Sequence, residues 1–229
     1  MTPKTGHFCG IKLVAFDLDG TLVDAFGDIT AAANVLMDHL KRPTLTVDQV
    51  KLHVGHGVHE LLTGILETRD PELLALGLKI FTEYYTENAT THATVYDGVR
   101  ETLEELRKRG FRTAVASNKP HALTQRVVEQ VGLAPFFDDV YGHTDQFPRK
   151  PAPDLLNHLM QNAGTQPETT LFVGDSSTDV AFALAANVAC VVIAQGTDTR
   201  AQLEATEAAA ILDNMRELMP LLMDCLTNK

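Results

Sequence analysis

Short runs of almost wholly apolar residues at 11–16, 111–116, 170–173 and 190–194 constrain this chain more than any other feature. Each is rich in β-branched side chains and shows no polar alternation, the pattern of a strand buried on both faces of a parallel sheet. Helix-period stretches lie beside them at 99–109, 122–131 and 179–186. Strands alternating with helices predict an α/β fold, a Rossmann-like parallel sheet with helices on both faces. Gly110 and Gly132 follow two of these helical stretches, and Asn187 follows the third, as residues that tolerate the left-handed conformation at a helix end.

Residues 24–92 break the alternation. Helical periodicity recurs at 29–40, 58–66 and 73–88 with no convincing strand between. The expected organisation is therefore a core of residues 1–23 and 93–229 and an inserted all-helical cap of residues 24–92, with two linkers, one where the first strand has just ended and one where Tyr96, Asp97 and Gly98 restart the α/β pattern. A last strand at 210–212 and a closing amphipathic helix from Met215 complete the core. With 229 residues and 45% hydrophobic content, the chain can bury a substantial interior.

The formal charge of −11 argues against nucleic acid or an anionic membrane as partner, since both need a basic face. No run approaches the roughly 18 apolar residues of a membrane span, and residues 1–10 lack the apolar centre of a signal peptide. Cys9, Cys190 and Cys225 are widely spaced and odd in number, which predicts reduced thiols. A cytoplasmic monomer or homodimer is expected.

Chemistry-bearing residues gather where the apolar runs end. Asp17-Leu18-Asp19-Gly20-Thr21 places two carboxylates two residues apart after the first run. At the carboxyl end of a buried strand they face the crevice where open α/β sheets bind ligands, and two acids there call for a cation or a reaction. A strand-end turn with an aspartate capping the next helix is the alternative. Ser117-Asn118-Lys119-Pro120 offers a hydroxyl and an amide to a phosphate oxygen, or else a helix cap. Lys150, before Pro151-Ala152-Pro153, is either a phosphate-binding point charge or a solvated loop cation. Gly174-Asp175-Ser176-Ser177-Thr178-Asp179 ends a further run in two more acids, oxygen ligands of the kind Mg²⁺ prefers, unless Asp179 is only a first-turn helix charge.

The order acid pair, hydroxyl, lysine, acid pair, with Asp-x-Asp-Gly-Thr at 17–21 and Gly-Asp-Ser-x-x-Asp at 174–179, resembles the haloacid dehalogenase superfamily over residues 11–195. Within it the chain is similar to the phosphoglycolate phosphatase group, through Val54-Gly55-His56-Gly57, Glu60-Leu61-Leu62, Tyr84-Tyr85 and Ser117-Asn118-Lys119-Pro120. Ala25 stands where that group usually has serine or threonine, and Gln195-Gly196-Thr197 replaces its usual Gly-Tyr-Asn.

The resemblance implies a Mg²⁺-dependent phosphatase acting on a small phosphorylated metabolite, with 2-phosphoglycolate the favoured substrate. A sugar phosphate or pyrophosphate is the alternative, as is a phosphosugar mutase on the same scaffold. It further implies Asp17 as nucleophile, Asp19 as acid and base, and Ser117 and Lys150 as phosphoryl ligands with the Asn118 amide. Metal would be held by Asp17, the Asp19 carbonyl and Asp175, supported by Asp179. His56, between two glycines in the cap, is the candidate to reach the substrate, although a turn histidine is the alternative reading. The triple spacing of His53, His56 and His59 is a poor zinc site, because Gly55 and Gly57 interrupt the helix it would need.

Overall fold

Side chains in the sheet strands alternate between two apolar layers, which explains why the strands read as unbroken apolar runs. Val14 and Phe16 join the cluster containing Val115, Leu171 and Val191, whereas Leu13 and Ala15 join Ala114, Phe172 and Val192 in the other. The computed structural model describes residues 8–227. The ends of the expected core segment, residues 1–7 and 228–229, lie outside them, as does the Cys225 side chain.

The chain begins with β1 (Leu13–Phe16) and β2 (Val23–Asp24). Then come α1 (Phe26–His39), α2 (Val47–Lys51), α3 (Val58–Leu66) and α4 (Pro71–Asn88) before β3 (Thr94–Val95). Strands and helices alternate from there: α5 (Val99–Lys108), β4 (Arg112–Pro120), α6 (His121–Gln130), β5 (Asp139–His143), α7 (Asp154–Ala163), β6 (Thr170–Gly174), α8 (Ser177–Ala185) and β7 (Ala189–Ile193). The described chain closes with α9 (Arg200–Glu204), β8 (Ala210–Leu212) and α10 (Leu218–Thr227).

Among the described residues one sheet holds six strands in the order β5-β4-β1-β6-β7-β8, every neighbouring pair parallel. The chain leaves β1 toward β4 and β5, then returns to β6 on the other side. That reversal opens a crevice at the carboxyl end of β1, where Phe16 pairs with Val115 on one side and Val173 on the other. Gly110, Gly132 and Asn187 have φ of 82°, 71° and 58°, the conformation expected of them.

Helices α1 to α4 leave and rejoin the sheet side by side. β2 and β3 pair antiparallel, Val23 opposite Val95 and Asp24 opposite Thr94. The buried Asp28 carboxylate in α1 reinforces the junction by accepting the amides of His92 at 2.8 Å and Ala93 at 2.9 Å. Leu36, Leu62, Leu66, Leu74 and Phe81 pack between these helices.

Three expectations need correction. β4 runs on through Ser117 to Pro120, with an irregular register after Ala116, so Ser117 and Asn118 belong to the strand and the N-terminus of α6 has no side-chain cap. Elements β5 and α7 had no counterpart in the sequence reading; β5 is half-buried at the sheet edge, and α7 starts directly after Pro153. Cys190 is a buried free thiol, but Cys9 is disulfide-bonded, contrary to the reduced state expected of all the cysteines. No helix among the described residues is long and apolar enough to cross a membrane.

Candidate active site

Asp17 stands one residue beyond β1, its amide donating to the Val173 carbonyl at 2.9 Å, so its carboxylate enters the crevice between β4 and β6. The chain then turns sharply: the amides of Leu22 and Val23 both donate to Leu18 O at 3.0 Å. Gly20 sits in this turn at φ 91°, and any Cβ there would collide with the Asp175 carboxylate. The backbone of the first acidic motif thus passes directly against the side chain of the last.

Lys150 joins the motifs. Its buried Nζ donates at 2.7 Å to Asp17 Oδ1 and at 2.7 Å to Asp179 Oδ1. The peptide that follows, Lys150–Pro151, is cis. Asp179 lies in the first turn of α8, yet its role extends beyond a helix charge: Oδ2 accepts from the Asp175 and Ser176 amides and from Ser176 Oγ, fixing the loop that carries Asp175. Asp175 is itself held by Thr21 Oγ1 at 2.6 Å on Oδ1 and by the Thr197 amide at 2.6 Å on Oδ2.

One lysine among three buried acids leaves the cluster electrostatically short of positive charge. Burial pushes the Asp17 carboxyl up to about 6; Lys150 opposes this while Asp179 and Asp19 add to it. Burial, followed by the charges of Asp179 and Asp17, pushes Asp175 up to about 8 against the hydrogen bonds from Thr197 and Thr21. For Lys150 burial favours the neutral amine, but Asp17 and Asp179 outweigh it and hold the ammonium well above its usual range. Carboxylate oxygens of Asp17, Asp175 and Asp179 lie within 4.8 Å of one another. An all-oxygen set of acids lacking compensating charge fits a hard divalent cation such as Mg²⁺.

Asn118 links the crevice to the helical segment through its side chain. Oδ1 accepts the Lys150 amide at 2.7 Å, and Nδ2 donates to Gly55 O at 2.8 Å. Ser117 is buried beside Asn118 and lines the same cavity. His56 does not line it. The histidine is exposed, with Nδ1 3.3 Å from Thr178 Oγ1, and its neighbours Gly55 and Gly57 form the wall instead.

The cavity encloses about 90 Å³ between the strand ends and the helices α1, α3, α4 and α6. Ile29, Leu61, Phe81 and Leu123 make its roof largely apolar, and Thr82, Tyr85 and Lys119 add polar groups to the lining. Lys119 is the functional candidate that sequence reading passed over. Its Nζ lies 2.7 and 2.8 Å from the two oxygens of Asp19 and 5.1 Å from the centre of the Tyr85 ring. The available signal was spacing, for a lysine two residues after Ser117 on a strand shares its face. Thr21 and Thr197 were also missed as partners of Asp175.

Comparison with known proteins gives concordant matches. The haloacid dehalogenase-like hydrolase family matches residues 14–193. The phosphoglycolate phosphatase of Pseudomonas savastanoi pv. phaseolicola is 36% identical over 219 residues, covering 93% of this chain and 80% of that protein. The phosphoglycolate phosphatase of Vibrio parahaemolyticus is 35% identical, covering 91% of this chain and 95% of its own length. Among solved structures, a predicted phosphoglycolate phosphatase from Haemophilus somnus superposes with a TM-score of 0.85 at 27% identity, covering 93% and 98% of the two chains.

Proposed function

Because the chain belongs to the haloacid dehalogenase-like hydrolases and is a phosphatase of that family, we propose that it hydrolyses 2-phosphoglycolate through a phosphorylated Asp17. The observation that carries this reading is the Asp17–Lys150–Asp179 chain of 2.7 Å contacts at the sheet's reversal, beside a second acid at Asp19. Lys150 holds Asp17 Oδ1, leaving Oδ2 as the nucleophilic atom.

In the first step Oδ2 attacks phosphorus, the ester P–O bond breaks, and Asp19 gives the departing oxygen its proton. Asp19 then takes a proton from water, whose oxygen attacks the aspartyl phosphate and releases inorganic phosphate and the Asp17 carboxylate. Ser117 Oγ, the Asn118 amide and Lys150 bind the phosphoryl oxygens, which acquire charge as transfer proceeds. Asp17, the Asp19 carbonyl and Asp175 would hold Mg²⁺, which when bound offsets repulsion between the nucleophile and the phosphate. Asp179 keeps Asp175 and Lys150 in register from behind. Helices α1 to α4 act as a cap of residues 24–92 that keeps bulk water from the intermediate.

The test is phosphate release from phosphoglycolate, several sugar phosphates, pyrophosphate and an aryl phosphate, with Mg²⁺ and with EDTA. Phosphoglycolate should be preferred and EDTA should stop turnover. Asp17→Asn should abolish hydrolysis while leaving the melting profile folded; near wild-type turnover in that variant would remove the covalent route.

A further inference from the structure

Lys119 has no part in the chemistry above, yet the fold buries it at the centre of the cavity wall. An ammonium has three N–H donors, and the two oxygens of Asp19 engage two. Tyr85 stands beside it. Its buried hydroxyl is close enough to Lys119 to interact with it but makes no hydrogen bond of full geometry, so its proton can be offered to a ligand.

Distance selects what such a ligand can be. As proton donor, Asp19 must come within about 2.6–3.2 Å of the leaving oxygen. Lys119 Nζ lies 2.7–2.8 Å from the same carboxylate, so the leaving oxygen is at most about 6 Å from the ammonium. A carboxylate on the carbon that bears the leaving oxygen has its own oxygens about 3–3.5 Å away, given ordinary bond lengths. An ammonium contact of about 2.8 Å then spans the gap to about 6 Å. Each added methylene would lengthen that reach by about 1.5 Å. The rest of the roof is largely apolar, at Ile29, Leu61, Phe81 and Leu123, with Thr82 its one further side-chain hydroxyl.

We propose that Lys119, with the Tyr85 hydroxyl beside it, is the receptor for a carboxylate on the leaving group, which makes the substrate class the phosphate esters of short 2-hydroxy acids. The assignment rests on the phosphatase reading and identifies the residues by which that site distinguishes its substrates. Lys119 serves two carboxylates in turn or together, that of Asp19 and that of the substrate, and a neutral leaving group fails to engage it.

The experiment compares kcat/KM for phosphoglycolate, its neutral amide and the one-carbon-longer 3-(phosphonooxy)propanoate, on the wild-type protein with Mg²⁺ and on Lys119→Met. The wild type should prefer the acid to the amide by about 10- to 100-fold, the scale of one charge-assisted hydrogen bond. It should also prefer the acid to the longer homologue by about tenfold or more. In Lys119→Met the acid-to-amide ratio should fall below about threefold. Equal losses on both substrates would overturn the proposal, assigning Lys119 to Asp19 alone. Should the variant not fold, the wild-type comparison still decides: an amide turned over as well as the acid overturns the proposal while the phosphatase reading stands. Equal turnover of the longer homologue overturns the 2-hydroxy acid class. Turnover of none of these, nor of an aryl phosphate, overturns the phosphatase reading itself.

Discussion

Lys150→Met should reveal how much of the fold depends on a single ammonium. Methionine keeps most of the apolar stem but removes the charge that Asp17 and Asp179 share at 2.7 Å each. Removing one partner of a buried ion pair typically costs about 3–5 kcal/mol, because the remaining charge stays buried without compensation. Unfolding entropy near 2.1 cal/mol/K per residue gives about 0.5 kcal/mol/K for 229 residues, so the melting temperature should drop by about 6–10 °C. The assay is a thermal melt of both proteins in EDTA at pH 8.5, where the acids are ionised. At pH 5.5 Asp17 and Asp175 can take up protons, and the gap between the two proteins should narrow. Saturating Mg²⁺ at pH 8.5 should restore part of the loss. A drop below about 2 °C in EDTA at pH 8.5 would refute the picture of an acid cluster held by Lys150.

The metal-free wild type should show an inverted acid profile. Asp17 and Asp175 have folded-state values of about 6 and about 8, raised from 3.8, so the folded chain binds protons that the unfolded chain has released. Their contribution to stability is full below pH 4 and lost as pH rises toward 8; the slope should appear in EDTA melts and flatten with Mg²⁺. Gly20→Ala should reduce kcat at least about 100-fold, since both φ of 91° and the Asp175 carboxylate exclude a side chain; near-normal kcat would contradict that close approach. Asn118→Ala removes the tie between Lys150 N and Gly55 O, and kcat/KM for phosphoglycolate should fall about 10- to 100-fold by steady-state assay. Asp28→Ala should destabilise by about 1.5–3 kcal/mol in denaturant titration, having lost two charge-assisted bonds from His92 and Ala93.

The sheet's inner strands were legible because burial on both faces leaves no room for polar residues, as at Val14, Ala15 and Phe16. The edge strand β5, Asp139–His143, was not, since its half-exposed positions admit aspartate, tyrosine and histidine and erase the apolar run. The acids and Lys150 could be found because they follow strands that are themselves easy to find. Thr21 and Thr197 could not be assigned in the same way, since both act on Asp175, 154 and 22 positions away, and no local pattern records such a pairing; for Lys119 spacing from Ser117 gave its face but not its partner Asp19, 100 positions away. At His56 the two readings were a residue reaching the substrate and a turn histidine; in the structure the flanking glycines line the cavity and the imidazole is exposed outside it, as in the second.

The paired β2 and β3 form a socket. Antiparallel neighbours stand about 5 Å apart, so the chain departs for its helical excursion and returns through almost the same point. Entry and exit of the helical segment are thereby fixed at one point, so an exchange of the roof has two joints to keep there and one further tie to replace, that of Asn118 to Gly55.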